Sequence, residues 1–244
     1  MKTIIYFTTT LLLFNSITFS QSVMNYQAGT SLEVQSGAAV CADSVIMNGT
    51  ISGGGTICGL LYTLNLSAFI EGFYNPVSNI MVSDTVKVFL RNTFSPYAVI
   101  DSTASVLNSS GSGTFTFSNP INGVSYYIVL KHRNSIETWS SLGNSFTSNT
   151  LSYYFSTANT QAYGNNMKQV DASPVTFAIY SGDVNQDGFV NLADIIKIYN
   201  DGSNFVTGYV PADVNGDSIV DLSDLVITYN NSANFVSLVR PWFV

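Results

Sequence analysis

The chain has 244 residues and a formal net charge of −7, yet charged residues make up only 9% of it, and Ser, Thr, Asn, Gly and Tyr abound. That profile belongs to an exported, β-rich protein rather than a cytosolic enzyme. Eight of the 15 acidic residues fall within 183–224 and there is no basic run, so the acidity is local and nucleic acid is excluded as an expected partner.

Residues 1–20 place Lys2 ahead of an apolar run over 4–14 and end in Thr18-Phe19-Ser20, which reads as a secretory signal peptide. The run falls short of the roughly 20 apolar residues that a membrane span requires, and no later stretch is apolar enough to cross. No cysteine follows it for lipid attachment. The expectation is a protein without a membrane span, secreted or displayed at the cell surface.

In residues 21–60, short alternating segments such as 32–34 and 44–47 are separated by glycine turns, predicting a small β meander or an incomplete β-solenoid coil. The two cysteines, Cys41 and Cys58, stand 17 positions apart. In an oxidising compartment a bridge between them stabilises by about 3 kcal/mol in the chain-entropy model; the alternative is a pair of free buried thiols.

Residues 61–180 alternate more cleanly. Leu64, Leu66, Ala68 and Ile70 share one face, Val86, Val88 and Leu90 another, and Phe115 and Phe117 alternate with threonines. The segment 126–130 is apolar on both faces, which marks a central strand. With further strands near 98–107, 151–155 and 175–180 there are about seven, the spacing of an antiparallel β-sandwich. The run GTFTFSNPINGVSYYIVLKHRN is similar to prealbumin-like, carboxypeptidase-regulatory-type sandwiches, which implies the same fold. His132, between Lys131 and Arg133, is expected exposed at a strand end, with its neighbouring cations lowering its pKa. Glu71, Asp84, Asp101, Glu137 and Asp171 are scattered, and no spacing selects a catalytic pair. No nucleophile elbow, phosphate loop or dinucleotide fingerprint occurs, so the expectation is a non-catalytic protein. Tyr97, Trp139, Tyr153, Tyr154 and Phe155 form either a sugar-stacking platform, with polysaccharide as partner, or core and rim packing.

Residues 181–244 contain one stretch twice: DVNQDGFVNLAD over 183–194 and DVNGDSIVDLSD over 213–224. Oxygen-bearing side chains at positions one, three, five, nine and twelve follow the spacing with which a loop wraps a calcium ion, a hard cation that takes six to eight oxygens at roughly 2.3–2.6 Å. The first loop offers Asp183, Asn185, Asp187, the Phe189 carbonyl, Asn191 and Asp194. The second offers Asp213, Asn215, Asp217, the Ile219 carbonyl, Asp221 and Asp224. Two ions are expected. Gly188 fills the sharp sixth-position turn of the first loop, whereas Ser218 stands there in the second, which is therefore expected to be the more strained. Each loop runs into a helical stripe, Leu192, Ile195, Ile196 and Tyr199, then Leu222, Leu225, Val226 and Tyr229. These stripes are expected to form the core. Ile198 and Ile227 lie off them and, with Ala193, Lys197, Ser223 and Thr228, are expected to form related exposed patches for a partner.

This tandem loop-helix repeat resembles a type I dockerin. The resemblance covers about 181–240 and implies calcium-dependent folding and binding to a cohesin module in an extracellular assembly, usually one that degrades polysaccharide. The sequence departs from the family at Leu192-Ala193 and Leu222-Ser223, where many dockerins carry the Ser/Thr pair that reads the cohesin. The expected fold class is thus mainly β: a short N-terminal β segment (21–60), a sandwich (61–180) and a small α-helical, two-calcium dockerin-like module (181–244).

Overall fold

The computed structural model describes residues 22–241; residues 1–20, expected to be a signal peptide, lie outside them. The chain forms two compact units, divided after Gly59.

The first unit is built from β1 (Val23–Tyr26), β2 (Ser31–Glu33), β3 (Ala39–Met47), β4 (Thr50–Ser52) and β5 (Thr56–Leu60). β1 pairs with β3 and β2 with β4, both in parallel, with Val23 opposite Ser44 and Ser31 opposite Thr50. A meander would pair antiparallel, so the solenoid-like alternative describes this unit: successive coils of roughly 20 residues stack on one another. The coils approach closely at Gly53, which has φ +94° and where a Cβ would stand 2.1 Å from the Val34 carbonyl oxygen. Cys41 and Cys58 are joined, with an S–S distance of 2.09 Å.

The second unit begins with β6 (Tyr62–Ser67), a short hairpin of β7 (Tyr74–Asn75) and β8 (Ile80–Met81), and the long strands β9 (Asp84–Asn92) and β10 (Val99–Leu107). Then come β11 (Ser112–Phe117), β12 (Ser125–Lys131), β13 (Thr138–Trp139), β14 (Asn144–Ser145) and β15 (Thr150–Tyr154), followed by a hairpin of β16 (Lys168–Ala172) and β17 (Val175–Ala178). One sheet has five strands, ordered β10-β9-β12-β13 with β14 also on β12; the other has three, ordered β11-β6-β15. The period-two pattern sets the register. Val86, Val88, Leu90, Ile128 and Leu130 of one sheet are buried, as are Leu64, Leu66, Phe115 and Phe117 of the other. Phe146, just after β14, packs edge-on against Tyr62 at 5.5 Å and Phe117 at 6.4 Å, joining the two sheets. Val129 on the outer face of β12 is also buried, because it lies opposite Trp139.

Two helices complete the unit, α1 (Leu192–Ser203) and α2 (Leu222–Ala233). Each starts in a capping box: Asn191 or Asp221 accepts from the amide two residues on, while Asp194 or Asp224 accepts from the cap residue's own amide. The twelfth-position carboxylate thus closes the loop and starts the helix.

Candidate metal-binding loops and their docking to the sandwich

The two loops share one backbone. Positions four and six are left-handed in both, with Gln186 at φ 61° and Gly188 at 88° in the first, Gly216 at 78° and Ser218 at 69° in the second. Each loop therefore carries one glycine and one residue with a Cβ where only glycine is unstrained. The first loop is strained too, at Gln186, so the serine at position six does not by itself make the second loop the more strained.

Asp183, Asp194, Asp213 and Asp224 are buried at the centres of the loops, while Asn185, Asp187, Asp217 and Asp221 face solvent and Asn191 and Asn215 are half-buried. Backbone amides converge on the carboxylates. Asp194 accepts from Val184 at 2.9 Å, Asn185 at 3.2 Å and Asn191 at 3.0 Å. Asp224 accepts from Val214, Asn215 and Asp221 in the same way. Asn185 Oδ1 and Asn215 Oδ1 take the Asp187 and Asp217 amides, each at 2.9 Å.

Charge is less well satisfied. Among the described residues, Asp183, Asp194 and Asp224 have no ion-pair partner. Burial, reinforced by the charges of Asp194 and Asp187, pushes the Asp183 carboxyl up to about 6 against the amides of Gly188 and Asp187. Burial also raises Asp194 and Asp224. A buried carboxylate without a counter-charge is costly, and a hard cation bound by an all-oxygen donor set would remove that cost. The residues present fit calcium in that sense. Among the described residues no three His, Cys, Asp or Glu side chains stand together as a ready-made cluster, and the donor sets draw on asparagines and the Phe189 and Ile219 carbonyls as well.

Each loop is completed by the other helix's exit. Val190 donates to the Val236 carbonyl at 2.9 Å and Val220 to the Val206 carbonyl at 3.1 Å. This accounts for the recurrence of Asn204-Phe205-Val206 as Asn234-Phe235-Val236 after the two helices. Asn204 and Asn234 end the helices, their side-chain amides returning to the Asn200 and Asn230 carbonyls, and Phe205 and Phe235 then turn left-handed at φ 55°.

The burial of the helices overturns the expected faces. Ile198 is 1% exposed and packs with Val184, Ala212, Val214 and Val220, and Thr228 is buried as well. Ile227 is half-buried and lies against Gly72 of the sandwich. Lys197 is half-buried and pairs with Asp201 at 3.2 Å, while Ala193 and Ser223 are exposed. Leu192, Ile196, Tyr199, Leu222, Val226 and Tyr229, expected to form the core, face outward. The reason lies in the crossed exits: Val206, Val210, Val220 and Ala212 fill the space between the helices and draw Ile198 in with them. On this outer surface Phe205 and Phe235 are 87% and 88% exposed. Tyr199, Phe205, Ile219 and Leu222 line a groove of about 440 Å³.

The repeat is built into the sandwich through residues 132–136. Gly182 donates to the Asn134 carbonyl at 2.7 Å, and Gln186 reaches the Ser135 carbonyl at 3.3 Å beside the first loop. Ile136 packs with Val190 and Val236. On the other side Asn134 Nδ2 donates to the Asp213 carbonyl at 2.7 Å, and Arg133 Nη2 to Asp213 Oδ2 at 3.3 Å. His132 is buried rather than exposed, between Asp84 Oδ2 and Ser135 Oγ, each 3.1 Å from a ring nitrogen. Its pKa is lowered, chiefly by burial and then by Arg133, while Asp84 opposes the shift. Burial acts to raise the Asp84 carboxyl, but hydrogen bonds from His132 and Tyr209 outweigh it and hold the group well below the usual range. Sequence reasoning missed this network because its partners lie 48 and 125 positions apart.

The remaining carboxylates serve structure. Glu71 accepts from Ser181 at 3.1 Å and Asn231 at 2.6 Å, Asp101 from Ser118 and Asn119, Glu137 from Trp139, and Asp171 from Ser173. Trp139, Tyr153 and Phe155 are buried, so the aromatic platform is not assembled; Tyr154 alone of the five is exposed, at 55%.

No family model and no curated protein matches this sequence. Among solved structures, the chain is similar to a type II cohesin-X-dockerin complex from Acetivibrio cellulolyticus with a mutated C-terminal interface. Identity is 17% and the TM-score 0.43, over 72% of this chain and 97% of that one. A mutant of the N-terminal interface of the same kind of complex matches at 18% identity and a TM-score of 0.38, over 72% and 97%.

Proposed function

We propose that this is a secreted, non-catalytic protein whose C-terminal repeat binds two calcium ions and docks a β-sandwich onto a cohesin-type partner in an extracellular assembly. The observation that carries the reading is the duplicated loop itself. In both copies buried carboxylates sit inside an oxygen-lined turn, and the loop carboxylates Asp183, Asp194 and Asp224 are raised in pKa and have no ion-pair partner among the described residues. Asp183, Asp194, Asp213 and Asp224 would hold the ions, whose charge would offset theirs and so favour the closed loops and the crossed exits that present Phe205 and Phe235. The docking face is then the outward apolar surface around Tyr199, Phe205, Ile219 and Leu222, with Ala193 and Ser223 nearby in sequence. One bulky aromatic held left-handed and bare in each copy is a local cost that binding would repay.

Titration calorimetry of the whole secreted chain with calcium tests the metal, and biolayer interferometry against purified cohesin modules, with calcium or EDTA, tests the partner. Two sites and calcium-dependent capture are expected. No heat at millimolar calcium would sink the reading.

A second reading, polysaccharide binding by the sandwich, is favoured by one observation. The outer face of β11-β6-β15 carries Thr114, Asn65 and Ser152 in one row and Ser112, Ser67 and Tyr154 in the next. It is an uncharged surface of hydroxyls, an amide and one exposed ring, over a groove of about 500 Å³. Retardation by soluble xylan or β-glucan in affinity electrophoresis, abolished by Tyr154→Ala, is the expected outcome.

A further inference from the structure

The loops differ in what holds their first carboxylate. Asp183 takes two amides of its own loop, Asp187 on Oδ1 and Gly188 on Oδ2, both at 3.1 Å. Asp213 takes one, Gly216 on Oδ1 at 2.9 Å, and its Oδ2 faces the Arg133 guanidinium at 3.3 Å. Where the first loop has Gly188 the second has Ser218, and the oxygen that the Gly188 amide holds in one loop is held by the sandwich in the other.

Arg133 is locked at every nitrogen. Nε donates to Asp84 Oδ2 at 3.1 Å, and Nη1 to the Asp213 carbonyl at 3.1 Å and to the Val210 carbonyl. The guanidinium lies 4.3 Å from the Tyr209 ring centroid and 5.2 Å from that of Phe73. Asp84 is fixed in turn by Tyr209 at 2.7 Å, Thr85 at 2.6 Å and His132. A planar fork held this way defines the plane of the carboxylate it meets. It occupies Oδ2 and leaves Oδ1 turned into the loop.

We propose that Arg133, anchored on Asp84, is a positioning residue for the second metal site: it orients Asp213 from outside the loop and makes that site's affinity depend on the sandwich, while in the first site Asp183 is oriented by its own loop. The inference rests on the calcium reading. Groups that orient a metal ligand from behind typically change affinity about 10- to 100-fold when removed.

The test is calcium calorimetry on the full chain, in backgrounds where Asp183→Asn leaves the second loop alone or Asp213→Asn leaves the first. Arg133→Met is expected to weaken calcium about 10-fold or more in the first background and to change it less than about twofold in the second. Arg133→Lys, which can meet only one of the two carboxylates, is expected to fall between. Asp84→Asn releases the far end of the fork and is expected to weaken the same site to a smaller degree, so the inference stays testable should Arg133→Met not fold. Equal losses in both backgrounds would mean a general structural role and overturn the proposal, as would no loss in either. Tighter binding by Arg133→Met would show that the guanidinium competes with the ion, and would overturn it too. If the unchanged chain binds no calcium, the calcium reading itself falls; two unaffected sites would remove this inference alone.

Discussion

The two halves of the repeat have the same loop, cap and exit, yet they stand in different surroundings. In the first half Asp183 is held by its own loop's amides, and the sandwich touches the loop beside it, through Gln186 on the Ser135 carbonyl and Val190 on Ile136. The second half is gripped. Arg133 and Asn134 hold Asp213, Glu71 holds Asn231 of α2, and Gly72 abuts Val214. A duplicated sequence therefore specifies two equal local structures without specifying equal roles, because a role depends on what each copy packs against.

The sharpest break in that difference is at Gly72, where a Cβ would meet the Val214 carbonyl oxygen at 2.2 Å, backbone against backbone. Gly72→Val is expected to cost about 3 kcal/mol and to lower the melting temperature by roughly 6–12 °C, with the loss of hydrogen-exchange protection centred on 213–217 rather than 183–187.

On the free face, Tyr199→Ser with Phe205→Ser is expected to weaken cohesin capture by about 2 kcal/mol or more while leaving the melting temperature nearly unchanged, since both rings are exposed. The paired change Tyr229→Ser with Phe235→Ser, read by the same interferometry, reports whether the partner uses the other copy.

The unpaired carboxylates of the first loop set a pH dependence. Burial pushes the Asp183 carboxyl up to about 6 when folded, from an ordinary value of 3.8, so in EDTA this group holds more proton in the folded chain than in the unfolded one between those values. Its contribution to stability must then fall as pH rises through that window. The Asp84 carboxyl is shifted the other way, and its contribution, lost only as pH falls through its depressed folded value, is nearly constant across the same window. The lowered pKa of His132 acts in the opposite sense across this window, so the carboxylate is read as a difference: in EDTA the melting temperature of the unchanged chain relative to Asp183→Asn is expected to fall by a few degrees from pH 4.5 to pH 7. A difference that rises instead would contradict the assignment.

The smallest effect separates the two strained positions. Ser218→Gly relieves φ 69° and is expected to stabilise by about 0.5–1 kcal/mol. Gln186→Gly relieves φ 61° but gives up the side-chain bonds to the Ser135 and Asp183 carbonyls at 3.3 and 2.7 Å. It is expected to gain nothing in chemical denaturation.

Much of this was legible in the residues. Alternation placed Leu64, Leu66, Val86, Val88, Phe115 and Phe117 inside, because a strand's side-chain period is two and one face must be buried. The loops were legible because ligand spacing, cap and turn are all local. The helix faces were not. A stripe at helical spacing shows that a helix has an apolar side and is silent on whether a core or a partner covers it. Ile198 went inward because it packs with Val214 and Val220, residues of the other loop that lie beyond the helix's own window. His132 was misjudged for the same reason: Lys131 and Arg133 make a polar string in sequence, but Asp84 and Phe73 close over the ring in space.

By itself, then, the sequence determined the strands, the two oxygen-rich loops with their capped helices, and the presence of apolar stripes, all set by steric and hydrogen-bonding rules that act within a few residues. Tertiary structure alone decided which stripe was buried, that the N-terminal coils stack in parallel, and that Arg133 reaches across 80 positions to Asp213. Those outcomes depend on which surfaces meet, and meeting is settled by the packing of the whole chain.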